Sequence, residues 1–176
     1  RLGRAALWSN PCGWIESLRL PESPPSATRL LLAGTTPPDE RLHEAAEASG
    51  ASIVAEAHAL ALDRLGPELD GASVDEREGP TRMLAKHLRA VSIAPRAFFD
   101  RGTWIVARAR AARAAGVVVW LAREDEALAW TAPSFERALA AAGLPVLMLT
   151  ARRWQADDDT PERIAEFIRR CSSATA

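Results

Sequence analysis

The segment Ala115–Asp158 restricts the fold more than any other part of the chain. After Gly116 comes an unbroken apolar run, Val117–Leu121 (VVVWL), which is short and rich in β-branched residues, as a buried strand requires. An acidic loop, Glu124-Asp125-Glu126, follows it. A helical run to Ala142 then leads into a second apolar strand, Pro145–Leu149. Strands with no polar alternation are apolar on both faces, which is the signature of a parallel sheet covered by helices on each side. This is one βαβ unit, and it implies a layered α/β domain.

The rest of the chain extends that pattern. A first strand is expected at Arg29–Ala33 (RLLLA), followed by the turn Gly34-Thr35-Thr36-Pro37-Pro38. The turn starts a helix, with Thr36 as N-cap and Pro37 at the first helical position, and Gly50 closes it. A second, short strand occupies Ser52–Ala55. From His58 to Gly79 the pattern weakens into a helical turn and a polar loop. Helices are expected at Thr81–Val91 and Ala97–Ala115, the second closed by Gly116, and Pro133 restarts the helix between strands three and four. The last helix, Pro161–Cys171, carries Ile164, Phe167, Ile168 and Cys171 at i, i+3, i+4, i+7, with Thr160 as N-cap. Four strands alternating with helices predict a four-stranded parallel sheet flanked by helices, flavodoxin-like, of order 2-1-3-4. Residues 1–28 read as an N-terminal extension with a Pro-rich linker, 29–172 as the α/β domain and 173–176 as a tail.

Charge excludes some partners. Twenty-two basic and 23 acidic residues nearly cancel, so no one-signed field favours nucleic acid or an anionic membrane surface. No run approaches the roughly 20 apolar residues of a membrane span. The chain opens on Arg1 with no signal-peptide pattern, which reads as a processed chain or a piece of a longer protein. Two cysteines, Cys12 and Cys171, sit at opposite ends and form neither a metal motif nor a disulfide framework, so a cytoplasmic setting is expected. Cys171, on an apolar stripe, reads as a buried inert thiol.

In a parallel sheet of this order ligands bind at the carboxyl ends of the strands, near the point where strand order reverses. Those ends carry Thr35 and Thr36 after strand one, Glu56 and His58 after strand two, Glu124 after strand three, and Arg152, Arg153 and Trp154 after strand four. The threonines could offer hydroxyls to a phosphate, although Thr36 could equally serve only as a cap. His58 and Glu56 could pair for acid–base work, against the plainer reading of local hydrogen bonding. Glu124 and its acidic neighbours could meet a cation or simply complement a helix dipole. Arg152, Arg153 and Trp154 could hold a phosphate and stack an adenine, and Trp120 reads as core. The first loop has one glycine and matches no standard phosphate-binding motif. No catalytic and no metal residue is assigned.

Several phrases also resemble a known family. Arg29–Gly34 followed by Pro38-Asp39, Gly50 with Ser52–Glu56, Ala115–Val118, Ala142–Leu147 and Arg163–Ile168 are together similar to the C-terminal domain of the D component of 2-hydroxyacyl-CoA dehydratases, a family that includes benzoyl-CoA reductase subunits. The resemblance implies an acyl-CoA substrate, an ATP-dependent iron–sulfur activator protein and a [4Fe-4S] cluster held by cysteines. The family's cysteines after strands two and three would fall near Ala57–Ala59 and Leu121–Arg123, where this sequence has none. No cofactor is therefore expected in this chain, and a cluster is expected in a homologous partner subunit. The implied function is a cluster-free subunit or C-terminal domain of a dehydratase- or benzoyl-CoA reductase-like complex, structural or acyl-CoA-binding. The alternative is a standalone flavodoxin-like module for a small ligand. Whether the chain is an enzyme stays open, and no residue constellation supports an independent hydrolase or transferase.

Overall fold

The computed structural model describes residues 27–58, 79–91 and 100–175. Four strands, β1 (Thr28–Gly34), β2 (Ala51–Ala57), β3 (Gly116–Ala122) and β4 (Val146–Arg152), form one sheet of order β2-β1-β3-β4. Every pairing is parallel. Both the four-stranded α/β architecture and the expected order 2-1-3-4 are met. Each strand extends one to three residues beyond the apolar run that marks it, because the ladder continues through small or polar residues at the ends.

The helices are α1 (Arg41–Ala48), α2 (Gly79–Val91), α3 (Arg101–Ala111), α4 (Glu126–Ala129), α5 (Ala132–Ala141) and α6 (Thr160–Thr175). Of these, α1 and α6 cover one sheet face and α3 and α5 the other, with separate cores. On one face Leu30, Leu32, Val118, Trp120 and Leu149 meet Leu42 and Ala46 of α1 and Ile164, Phe167, Ile168 and Cys171 of α6. On the other, Leu31, Ala33, Val117, Val119 and Leu121 meet Ile105 and Ala109 of α3 and Phe135 and Leu139 of α5. Strand β3 is buried along its whole length, which is why its sequence shows no polar alternation. The chain moves from β1 outward to β2, then back across β1 to β3. The reversal point therefore lies between the carboxyl ends of β1 and β3.

Some local expectations are corrected. Thr36 does not cap a helix: α1 begins five residues later at Arg41, and its N-cap, Glu40, makes no side-chain cap bond. Two successive prolines at 37 and 38 hold the chain out of helix, so Thr36 stays at the strand end. Gly116 does not close the preceding helix but opens β3, and Arg113 makes the left-handed turn instead, at φ 51°. Thr160 is not a side-chain cap, since its N–H (3.0 Å) and its hydroxyl both donate to Asp158 Oδ1. Pro133 does restart a helix, at the head of α5. The α6 stripe, Cys171 included, is buried as expected. The extension (residues 1–26), most of the His58–Gly79 loop and the start of the expected Ala97–Ala115 helix lie outside the described residues.

Candidate functional site

The strand ends carry two groups of side chains and a staple. The staple is Thr35. Its backbone N–H donates to Trp120 O at 2.9 Å, its Oγ1 accepts from the Ala122 N–H at 3.2 Å, and its hydroxyl donates to Asp125 Oδ2 at 3.0 Å. Asp125 Oδ1 in turn accepts from the Leu128 N–H and caps α4. Thr35 thus ties β1 to β3 at the reversal point, and its hydroxyl is fully used there. Thr35→Val leaves a buried N–H unpaired and is expected to cost about 1–3 kcal/mol in denaturant melts, with Thr35→Ser retaining most of the stability.

The first group lies at the end of β2. Glu56 sits between two histidines: His43 Nε2 is 2.8 Å from Oε1, and His58 Nε2 is 3.1 Å from Oε2. The His43 contact is a hydrogen bond, and His58 brings a second imidazole nitrogen within reach of the other carboxylate oxygen. The His43 hydrogen bond, reinforced by His58 and opposed by burial, holds the Glu56 carboxyl down at about 2. The other nitrogen of His58, Nδ1, is 3.4 Å from the Thr36 hydroxyl, and His58 is buried. The order is hydroxyl, imidazole, carboxylate, imidazole. Both Nε2 atoms face the carboxylate, and among the described residues no His, Cys, Asp and Glu cluster is arranged to hold a metal ion.

The second group follows β4. Arg152 is paired with Asp158 (3.7 Å) and Asp159, and Arg153 with Asp157 (3.5 Å). The ring of Trp154 lies 6.2 Å from that of Trp120, tilted by 50°. Glu124 is exposed in the turn after β3 and joins neither group. Strand-end reasoning thus gathers Thr36, Glu56 and His58, and separately Arg152, Arg153 and Trp154. It misses His43, whose only signal was its place next to the buried Leu42 among the polar residues of α1. Asp125 it read only as part of an acidic loop.

The model of one family, 2-hydroxyglutaryl-CoA dehydratase, D-component, matches residues 15–170. The chain belongs to that family. No curated protein matched it. The family match begins ahead of the Arg29–Ile168 span on which the resemblance rests. An iron–sulfur cluster, which the resemblance implies for the family, needs soft thiolates, and the strand ends allow the donor set here to be tested for them. The ends of β2 and β3 present Ala57-His58 and Leu121-Ala122-Arg123, and the nearby donors are carboxylate, imidazole and hydroxyl. Cys171 is buried at the other end of the sheet. A Cβ added at Gly116, the first residue of β3, would stand 3.0 Å from its Sγ, and a seven-residue strand separates that end from Ala122 by roughly 20 Å. The described residues do not fit a cluster.

Proposed function

We propose that this chain is a cluster-free subunit or C-terminal domain of a 2-hydroxyacyl-CoA dehydratase or benzoyl-CoA reductase-like complex, contributing architecture and acyl-CoA binding instead of electron transfer. The observation that carries this reading is the occupancy of the two strand ends. The chain matches the D-component family, while alanine, histidine and arginine stand at the strand ends where the resemblance would put the cluster's thiolates. A homologous cluster-bearing subunit supplies the redox centre, and an ATP-dependent activator charges it. The acyl-CoA lies across the carboxyl ends of β1, β2 and β4, near Thr36, His58 and Trp154. The complex works in the cytoplasm.

Exposed apolar residues support a partner surface. Trp130, at the break between α4 and α5, is 86% exposed, and Leu84 on α2 is 48% exposed. Large aromatic residues left in water are favoured anchors of interface cores. Among the described residues no helix is long and apolar enough to cross a membrane.

Anaerobic purification of the natively expressed protein, with iron and sulfide analysis and mass spectrometry of what accompanies it, tests the reading. Iron is expected in a co-purifying, cysteine-bearing homologue and not in this chain. Stoichiometric iron on this chain alone, or a stable chain with no partner, would overturn it. Trp130→Ser is expected to weaken co-purification at least tenfold, the scale of an aromatic interface anchor, while leaving the melting temperature nearly unchanged.

A further inference from the structure

Thr36, His58, Glu56 and His43 form one continuous chain of side-chain contacts that joins the ends of β1 and β2 to α1. Thr36 and His58 are 22 residues apart and meet because β1 and β2 are neighbours in the sheet. The Glu56 carboxyl, held at about 2 chiefly by the His43 hydrogen bond, is ionised at any working pH. An ionised carboxylate only accepts, so the His58 nitrogen that faces it, Nε2 at 3.1 Å, carries the hydrogen. The neutral ring then has a bare Nδ1, and that is the atom 3.4 Å from the Thr36 hydroxyl. The carboxylate thus sets the tautomer, and the tautomer turns an acceptor toward the hydroxyl.

Burial separates the base from the hydroxyl. His58 is buried, whereas Thr36 is half-buried and can be approached from solvent. Pro37 and Pro38 fix the backbone directly after Thr36, so the hydroxyl sits on a stiff corner at the end of β1. Glu56 Oε1 is held by His43 Nε2 at 2.8 Å, which leaves Oε2 for His58. A hydroxyl within reach of a base, with that base oriented by a third group, is the arrangement of an activated nucleophile. Contacts between nucleophile and base are often long until a substrate tightens them.

We propose that Thr36 is the nucleophile, His58 the general base and Glu56 the orienting carboxylate of a hydrolytic site for small oxygen esters, with His43 as a positioning residue. Thr36 Oγ1 bonds to the ester carbon as its proton passes to His58 Nδ1. The bond to the alcohol oxygen then breaks, and the alcohol leaves with that proton. Water attacks the acyl-threonine, giving a proton to His58 Nδ1, and the acid departs as Thr36 Oγ1 takes the proton back. Glu56 stays ionised throughout and steadies the charged imidazole. The site stands on the contacts of four side chains, and holds whether or not the chain binds an acyl-CoA or joins a cluster-bearing partner.

The test is labelling of the full chain with a fluorophosphonate, which places its phosphorus on an activated hydroxyl and loses fluoride. The chain has no tyrosine, whose phenol would otherwise compete. One adduct on Thr36 is expected by peptide mass spectrometry, together with loss of 4-nitrophenyl acetate hydrolysis in the labelled chain. Thr36→Ser should keep the labelling and Thr36→Val should remove it. His58→Gln should slow labelling at least about a hundredfold, the lower end for a positioned general base, with the fold intact by circular dichroism. Should His58→Gln not fold, the His43 pair decides: His43→Leu should slow labelling, and His43→Gln, which keeps an N–H donor, should restore it. No adduct on Thr36, ester hydrolysis that survives Thr36→Val, or labelling that is indifferent to both histidines overturns the proposal.

Discussion

Gly34→Ala is expected to destabilise the domain by about 3–5 kcal/mol, the sum of a strained backbone and a forced contact. Gly34 has φ +108°, and a Cβ there would stand 2.3 Å from Trp120 O and 2.9 Å from Leu121 Cδ2. The carbonyl that would be hit is the one accepting the Thr35 N–H, so relief of the clash would break the staple joining β1 to β3. For a domain of this size the loss corresponds to a fall in melting temperature of roughly 10–15 °C. Gly50→Ala is the control, because Gly50 has φ +81° but nothing within 4 Å of an added Cβ. It should show the backbone part of the cost alone. Equal losses at the two positions would mean that the contact with β3 contributes nothing.

The second large effect is on pH dependence. The Glu56 carboxyl is lowered from 4.5 to about 2 in the folded chain. A lowered carboxylate stabilises the fold fully above its unfolded value, here 4.5, and the contribution fades as pH falls toward 2. Between those limits it amounts to at most about 3 kcal/mol, less where water reaches the pair. Glu56→Gln should therefore be markedly less stable than the parent in urea melts at pH 6, and the gap should close progressively between pH 4.5 and 2.5. A gap that does not change with pH would show that the two histidines do not act on the Glu56 charge.

Legibility in the sequence followed the physics of each element. The buried strands LLLA and VVVWL were plain because a strand covered on both faces must be apolar throughout, and strand order followed from the few allowed crossovers. The start of α1 was misread because Thr-Pro-Pro imitates a helix N-terminus, while the second proline in fact keeps the chain extended. Strand-end logic reached Glu56 and His58, since it needs only the position of a strand. His43 was out of its reach: it arrives from a helix thirteen residues earlier, and only packing of α1 on β2 joins them. The Thr35–Asp125 bond spans 90 residues, and no local pattern carries such a distance.

The all-parallel order β2-β1-β3-β4 has a kinetic consequence. β1 can pair with β2 as soon as residue 57 is available, but its other edge must wait for β3, with Leu30 meeting Gly116 and Gly34 meeting Trp120. During synthesis the Leu30-Leu31-Leu32 edge is thus open while more than half of the domain is still to be made. Unpaired apolar edges of this kind recruit other chains. Refolding should accordingly be slow and sensitive to protein concentration, and a nascent chain halted before β3 would leave this apolar edge uncovered.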